Sequence, residues 1–254
     1  MEIRKQKEIE YYDSQALLRG PEQAGDFEGF EPLALVSYKF LYKLLGNYCQ
    51  GKVVLDYGCG NGIHAVAIAK MGASMVVGID LSEKSLEIAR ERVKKEGVGK
   101  RVEVLKMDCE KMDFPESSFD VIFDGATFSS IDLKLAWPEL ARVLKPKGTL
   151  IGIETFGHNP FTNLRRKLNR LTGRRTEWAT AHIFQNKDLE EAKKYFSDIK
   201  VYYFHLISWL AFPFLKLPGG KLMLKCLEFI DKILLSLPFL RKYSFKAVFT
   251  FSKL

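Results

Sequence analysis

The chain has 254 residues, of which 47% are hydrophobic, and its formal net charge at pH 7 is +8. This length and apolar content predict one large α/β core over residues 1–254, since two full domains would be cramped. The four cysteines are scattered with no Cys-x-x-Cys pair, and the charged N-terminal residues lack the apolar segment of a secretory signal, so we expect a reduced, cytoplasmic protein without a bound metal.

The first predicted elements are two helices, over residues 5–18 and 33–48, with apolar residues at helical spacings. Gly20-Pro21 and Gly25-Asp26 predict a loop between them. We therefore expect residues 1–50 to form a helical extension ahead of the first strand.

A glycine-rich turn follows the first predicted strand, Val53-Val54-Leu55, in the sequence DYGCGNG from Asp56 to Gly62. Glycines allow positive φ and close approach of a ligand, and the helix that follows presents free N–H groups. The spacing is Gly-x-Gly-x-Gly rather than the Gly-x-Gly-x-x-Gly of dinucleotide-binding folds. Because Asp56 suits a cationic ligand better than a pyrophosphate, the turn favours S-adenosylmethionine (SAM) over NAD. A tight turn without a ligand is the alternative.

Two further strands end in acidic residues. The strand over residues 75–79 ends at Asp80, about 20 residues past the glycines, where a carboxylate can accept hydrogen bonds from ribose hydroxyls. The strand over residues 102–107 ends at Asp108 and Cys109, where a carboxylate and a backbone N–H can bind the adenine edge. Each acid by itself is also a plausible helix cap. Together they indicate a nucleoside site.

The rest of the core alternates strands and helices. The predicted strands are 53–56, 75–79, 102–107, 119–123, 148–154 and 199–205, and the predicted helices between them are 62–71, 83–96, 132–143 and 186–196. Parallel strands joined by right-handed crossovers place their carboxyl ends along one edge of the sheet. We therefore expect the cofactor and the substrate to share that edge.

The chain resembles the class I SAM-dependent methyltransferases, specifically the type 11 small-molecule group, from about Lys52 to Thr155. The segments that carry the resemblance are VVLDYGCGNG, VVGIDLSEKSLEIAR, MDCEKMDFPESSFDVIF and LARVLKPKGTLIGIE. The resemblance implies an α/β, Rossmann-like, doubly wound sheet of seven strands, the last of which, residues 244–251, is antiparallel. It also implies that residues 1–50 fold over the cofactor as a helical lid.

Site residues also follow from the resemblance. It implies that Asp56, Gly58 and Gly60 contact the methionine part of SAM, Asp80 the ribose, and Asp108 and Cys109 the adenine. In the lid, Tyr12 is a candidate for contacting SAM from above, with ordinary packing as the alternative. The expected cofactor-binding residues are Tyr12, Asp56, Gly58, Gly60, Asp80, Leu81, Asp108, Cys109 and Asp124.

A basic insertion, residues 155–185, follows the fifth strand and is expected on the substrate side. It holds six basic residues and one acid, Glu177; the basic residues are Arg165, Arg166, Lys167, Arg170, Arg174 and Arg175. One interpretation is a solvated helix face. The other is a site for a phosphate or carboxylate of the acceptor, since arginine offers planar, bidentate donors.

An apolar insertion, residues 206–243, separates the sixth and seventh strands and includes a predicted helix over residues 221–237. Its apolar runs are too short to span a bilayer, which needs about 20 residues. Trp209 and the flanking lysines suit a helix lying in the interface of a membrane. A cap over the substrate pocket and a homodimer face are the alternatives. The composition of the basic and apolar insertions together favours a small, lipid-like acceptor and peripheral contact of the protein with the inner membrane face.

Methyl transfer from a sulfonium is an in-line displacement that mainly requires alignment. The candidate catalytic residues are Asp124, Glu154 and His182, the last because an imidazole titrates near neutrality. A structural role for His182 is the alternative. Amino-methylases of DNA bases carry the motif Asn/Asp-Pro-Pro-Tyr/Phe after the fourth strand, where this chain has Asp124-Gly125-Ala126-Thr127. The sequence also contains no recognisable RNA-binding module. A nucleic-acid substrate is therefore disfavoured. An RNA methyltransferase and a catalytically inert SAM-binding or membrane-surface protein are the rival hypotheses.

Overall fold

The computed structural model describes residues 2–23, 35–173 and 175–253. Its strands are β1 (Val53–Tyr57), β2 (Met75–Asp80), β3 (Val102–Lys106), β4 (Phe119–Asp124), β5 (Leu144–Thr155), β6 (Phe196–Phe204) and β7 (Lys246–Lys253). They form one sheet in the order β3-β2-β1-β4-β5-β7-β6. Strands β1 to β5 run parallel, and β7 pairs antiparallel with both β5 and β6. The predicted fold class is confirmed.

Helices cover both faces of this sheet. They are α1 (Ile3–Gln23), α2 (Val36–Cys49), α3 (Ile63–Lys70), α4 (Glu83–Lys95), α5 (Leu133–Val143), α6 (Pro160–Leu171), α7 (Glu177–Ala181), α8 (Asn186–Ala192), α9 (Gly220–Leu234) and α10 (Pro238–Arg241). The described residues also form two short 3₁₀ helices, Phe128–Ser130 and Ser208–Phe214. Because both faces are covered, the central strands are continuous apolar runs, which is why the sequence showed them clearly.

The core has two apolar layers, one on each face of the sheet. Leu41 and Leu45 of α2 pack with α3 on one face. On the other face Trp137 of α5 packs with Phe249 and Phe251 of β7, and all three side chains are fully buried. These layers fix the strands, and so they fix the positions of the loops at the carboxyl edge.

Several predicted boundaries are wrong. Helix α8 ends at Ala192 rather than at residue 196, which already belongs to β6, and α9 ends at Leu234 rather than at residue 237. Helix α1 continues to Gln23, past Gly20 and Pro21, where a loop was expected. Strand β5 starts at Leu144 rather than at residue 148, because Leu144 pairs with Phe119 before the chain bulges and pairing resumes between Thr149 and Val121. The predicted loop at Gly25-Asp26 and the predicted start of the second helix at residue 33 lie outside the described residues.

The apolar insertion folds into the 3₁₀ helix Ser208–Phe214 followed by α9 and α10. Asp231 of α9, which is 3% exposed, accepts hydrogen bonds from the backbone N–H groups of Ile207 (2.8 Å) and Ser208 (3.1 Å). His205 is bonded through its two ring nitrogens to Ser37 and Ser208, at 2.8 Å each. Burial lowers the pKa of His205 to about 3, so these bonds are made by a neutral imidazole. This network ties the insertion to α2.

In the described part of the chain, every helix is too short or too polar to cross a bilayer. The apolar insertion packs against the domain core through Ala211 and Leu224, while parts of its helices are exposed to solvent.

We predict that Asp231→Ala lowers the free energy of unfolding by about 1–3 kcal/mol, because two buried N–H groups lose their acceptor. Urea denaturation measures the loss. Asp113→Ala is the matched control, since Asp113 is exposed in the loop before β4. Equal stability of the two variants would show that Asp231 does not hold the insertion.

Candidate active site

A cavity of about 810 Å³, counting all space between protein atoms, lies at the carboxyl edge of the sheet above β1, β2 and β3. Seven of the predicted cofactor-binding residues line it: Tyr12, Gly58, Gly60, Asp80, Leu81, Asp108 and Cys109. The loop after β4 supplies the opposite wall, through Gly125, Ala126, Thr127, Ser130 and Ile131. The structure thus brings together residues that are up to 119 positions apart in the sequence, from Tyr12 to Ile131.

The glycine turn after β1 needs glycine for two physical reasons. Gly58, Gly60 and Gly62 have φ of +70°, +52° and +73°, which side-chain-bearing residues rarely adopt. In addition, a Cβ at Gly58 would lie 2.3 Å from Oγ1 of Thr127, whose hydroxyl donates to the carbonyl of Tyr57 at 2.9 Å. The turn and the loop after β4 are therefore packed against each other, with the cavity above them.

Asp80 lies at the end of β2 with its carboxylate at the cavity wall. Its Oδ2 accepts from the N–H of Gly60 and its Oδ1 from the N–H of Ser82, both at 2.9 Å. Burial raises the pKa of Asp80, while these backbone N–H groups act in the opposite direction. Each carboxylate oxygen retains a lone pair for a second donor. Asp80 can therefore hold the turn and bind ligand hydroxyls together.

Helix α1 covers the cavity and makes five polar contacts with its rim. Arg4 and Lys5 both pair with Glu110 at 2.7 Å, and Lys5 also pairs with Asp108 at 2.6 Å. The hydroxyls of Tyr12 and Ser130 are 2.9 Å apart, and the Ser82 hydroxyl donates to Asp13 at 2.6 Å.

The sequence prediction missed the lid residues Arg4, Lys5 and Glu8, which line the same cavity as Tyr12. They precede Tyr12 by eight, seven and four positions, which places them near one helix face. Helical spacing from Tyr12 was the signal that could have found them.

Asp56 and Asp124 lie beneath the cavity rather than in its wall. Asp56 is 1% exposed, and its Oδ2 has no hydrogen-bond partner among the described residues. Burial raises the pKa of Asp56 to about 7. Asp124 is fully buried; its Oδ1 accepts from the N–H of Thr127 at 3.0 Å, and its Oδ2 is likewise unpartnered in the described chain. A nearby positive charge would stabilise the ionised form of either carboxyl group.

Neither of the other two candidate catalytic residues lines this cavity. Glu154 is fully buried and accepts from the N–H groups of Phe128 (2.7 Å) and Thr155 (3.2 Å). Burial raises its pKa to about 7, against the opposing charge of Lys246. His182 is exposed in an outer groove, where its ring stacks on Trp178 with centroids 3.6 Å apart. The structure places Glu154 below the edge of the sheet and His182 outside it.

A second cavity, of about 950 Å³ by the same measure, lies between α6 and the 3₁₀ helix Ser208–Phe214. Its lining combines cationic and aromatic side chains: Thr155, Thr162, Arg165, Arg166, Asn169, Arg175, Trp209, Phe212, Pro213, Phe245 and Lys246. The basic and apolar insertions therefore meet at one place. Arg174 of the predicted basic cluster lies outside the described residues.

Residues 54–148 match the model of a family described as a methyltransferase domain. This stretch holds β1 to β4 and the first residues of β5, and so it holds the glycine turn and the strand-end acids. The chain contains a class I SAM-dependent methyltransferase domain. The predicted enzyme class and cofactor, SAM, are those of this family and are confirmed at that level.

Two curated relatives match parts of this chain. Ribosomal protein L11 methyltransferase of Thermotoga petrophila is 39% identical over 107 residues, which are 42% of this chain and 38% of that protein. A sterol 24-C-methyltransferase of Aspergillus fumigatus is 37% identical over 100 residues, which are 39% of this chain and 26% of that protein. The chain spans at most 59% of the length of the first curated relatives that it matches.

A solved structure shares the fold over most of the chain. Geranyl diphosphate C-methyltransferase from Streptomyces coelicolor A3(2), in complex with Mg²⁺, geranyl diphosphate and S-adenosyl-L-homocysteine, superposes with a TM-score of 0.62. The match covers 85% of this chain and 79% of that chain at 16% identity. The shared fold therefore extends well beyond residues 54–148, which the family model matches.

The buried carboxyl group of Asp56 predicts a loss of stability as the pH rises. The pKa of Asp56 is about 7 in the folded domain, whereas its ordinary value is 3.8. Between these two pH values the folded state therefore binds more protons than the unfolded state, and the free energy of unfolding falls as the pH rises. We expect Asp56→Asn to gain stability relative to the wild type by up to about 1.4 kcal/mol per pH unit between roughly pH 5 and pH 7. Urea titrations across this range measure the difference. A difference that does not change with pH would contradict the raised pKa.

Proposed function

We propose that the protein transfers the methyl group of SAM to a small, lipid-like acceptor that carries an anionic group. The observation that carries this proposal is the pair of cavities along one sheet edge. One is lined by the glycine turn and Asp80, and the other by arginines and aromatic side chains. The two cavities flank the loop after β4, where Arg175 Nη2 donates to Ser129 Oγ at 2.8 Å, next to Ser130 in the first cavity.

The first cavity fits SAM in charge and in shape. When bound, SAM supplies an electrophilic methyl group on a sulfonium. The glycine turn gives its methionine part a close approach, since Gly58 has no room for a Cβ. The buried, unpartnered oxygen of Asp56 lies under this turn and favours a cation above it. Asp80 accepts from the ribose hydroxyls, Leu81, Asp108 and Cys109 surround the adenine, and Tyr12 covers the cofactor.

The acceptor belongs in the second cavity, whose lining combines an apolar side and a cationic side. Two relatives support a lipid-like acceptor by their names, a sterol 24-C-methyltransferase and a geranyl diphosphate C-methyltransferase. Trp209 and Phe212 offer a surface for an apolar chain, as proposed from the composition of the apolar insertion.

Catalysis rests mainly on alignment of the acceptor with the methyl group. Asp124 and Glu154 act by positioning, since they hold the N–H groups of Thr127 and Phe128 in the loop after β4. A base role for Glu154 stays a prediction, because its carboxylate lines neither cavity and both of its oxygens accept from backbone N–H groups. A direct role for His182 stays a prediction that requires substrate in the outer groove.

We expect Asp80→Ala to weaken SAM binding by about 1–3 kcal/mol, because charged hydrogen bonds to the ribose are lost. Isothermal titration calorimetry with SAM measures the change. Asp120→Ala is a control, since Asp120 lies at the opposite end of β4 and binds Val53 and Lys145. If the wild-type protein binds NAD but shows no measurable binding of SAM, the assignment of SAM as cofactor is wrong.

We also propose peripheral contact with an anionic membrane surface. Large apolar side chains are exposed on α6 and on the apolar insertion: Phe161, Leu164, Leu168, Leu171, Leu210, Phe214, Leu217, Leu222, Met223, Phe229, Ile230, Ile233, Leu237 and Phe239. Phe161 of α6 stacks near Trp209, with ring centroids 6.5 Å apart, so these surfaces adjoin. Residues 206–243 contain six basic and two acidic residues. Both acids, Glu228 and Asp231, bind backbone N–H groups of the domain, which leaves the surface charge positive.

Vesicle flotation tests this contact. We expect binding to phosphatidylcholine vesicles that contain phosphatidylglycerol, weaker binding without the anionic lipid, and weakening by salt. Phe229→Glu and Phe239→Glu should each reduce binding about tenfold or more, because an inserted aromatic side chain is replaced by a charge. Leu135→Glu, at an exposed apolar residue of α5, should leave it unchanged. If the protein does not float and instead forms a concentration-dependent dimer, the exposed apolar surface contacts a second copy of the chain rather than a membrane.

A further inference from the structure

Arg166 of α6 is a buried cation that has no acidic partner among the described residues. Only 5% of the residue is exposed, and its guanidinium donates to Oδ1 of Asn163 and, at 3.4 Å, to the carbonyl of Phe156. Among the described residues, no carboxylate forms an ion pair with it within 4.0 Å. Burial of an unpaired charge is costly, and a side chain of this kind usually has a counter-ion.

Three more cations line the same cavity as Arg166, and no acidic side chain lines it. Arg165 reaches it from the adjacent position of α6, Arg175 from the segment before α7, and Lys246 from the start of β7. Within the described ranges, none of the three forms an ion pair within 4.0 Å either. A solvated helix face would explain the exposed Arg165, but it does not explain why Arg166 points inward.

Glu154 is the acid that acts on the charge of Arg166, but it does not neutralise the excess of positive charge in the cavity. Glu154 lies behind Thr155, and its two oxygens are already taken by backbone N–H groups. Burial raises the pKa of Glu154 to about 7 even though Lys246 and Arg175 oppose the change. The pKa of Arg166 is lowered to about 10, first by burial and then by the like charge of Arg175. An added anion would stabilise the charged guanidinium of Arg166.

We propose that this cavity is a phosphate-binding site, in which Arg165, Arg166, Arg175 and Lys246 hold a phosphate or diphosphate group. Guanidinium groups bind phosphate oxygens in bidentate pairs, and four cations match an anion with more than one charge better than a single carboxylate. Trp209, Phe212 and Phe245 line the other side, so the phosphate belongs to an amphiphile whose apolar chain lies on these rings. The assignment of this amphiphile as methyl acceptor rests on the proposed function, whereas the anion site itself does not.

Calorimetry on the full chain without SAM tests the site, with inorganic pyrophosphate, inorganic phosphate and dodecyl phosphate as probes. Arg165→Gln should weaken pyrophosphate binding about tenfold, as should Arg166→Lys, which keeps the charge but loses the bidentate geometry. Lys167→Gln is the matched control, because Lys167 is exposed on the same helix and does not line the cavity. It should change the affinity less than about twofold. Arg165 is exposed, so its variant remains informative if the Arg166 variant does not fold.

The outcomes separate this site from the proposed function. Equal pyrophosphate affinity in wild type, Arg165→Gln and Lys167→Gln, with SAM still bound, would overturn the phosphate site and leave the methyltransferase proposal standing. Loss of pyrophosphate binding in the arginine variants of a protein that ignores SAM would support the site and overturn the function. Dodecyl phosphate that binds no tighter than inorganic phosphate would overturn the amphiphile, since each buried methylene is expected to tighten binding about fourfold.

Discussion

Carboxylates at the ends of three strands hold the backbone of the loops that form the active-site edge. Asp80 of β2 binds the N–H groups of Gly60 and Ser82, Asp124 of β4 binds that of Thr127, and Glu154 of β5 binds that of Phe128. Each bond spans from a rigid strand to a loop that would otherwise have an unsatisfied donor. The cavity walls are therefore positioned by buried acids.

The same acids give the sheet edge an uneven distribution of charge. The side above β1, β2 and β4 contains Asp56, Asp80 and Asp124, whereas the side above β5 and β7 contains Arg165, Arg166, Arg175 and Lys246. A cationic cofactor and an anionic acceptor are each favoured on one side only. Electrostatics can thus sort the two ligands before any specific contact forms.

Most of the sheet and about half of the site arrangement could be predicted from the sequence. Parallel strands buried on both faces are visible as apolar runs, and the glycine turn is recognisable because Gly58 and Gly60 need positive φ. The ion pairs of Arg4 and Lys5 with Glu110 join residues more than 100 positions apart, and such pairs leave no local pattern. Their charges looked like ordinary surface charges.

The prediction for His182 shows another limit of sequence reasoning. Its titration range indicated a base, but Trp178 lies four positions earlier, and the two rings stack on the outer face of α7. The bulge in β5 was equally hidden from the sequence. Positive φ is expected of glycine, but here Lys147 has a φ of +62° although Gly148 is the next residue. In both cases the three-dimensional neighbours decided the outcome, while residue type alone was ambiguous.

The two cavities share no lining residue, and separate parts of the chain cover them. Helix α1 covers the first through largely buried ion pairs, whereas α6 and the 3₁₀ helix Ser208–Phe214 cover the second through aromatic packing. One cover can therefore open while the other stays closed. Such an arrangement permits random-order kinetics, in which the spent cofactor is exchanged while the second ligand remains in place.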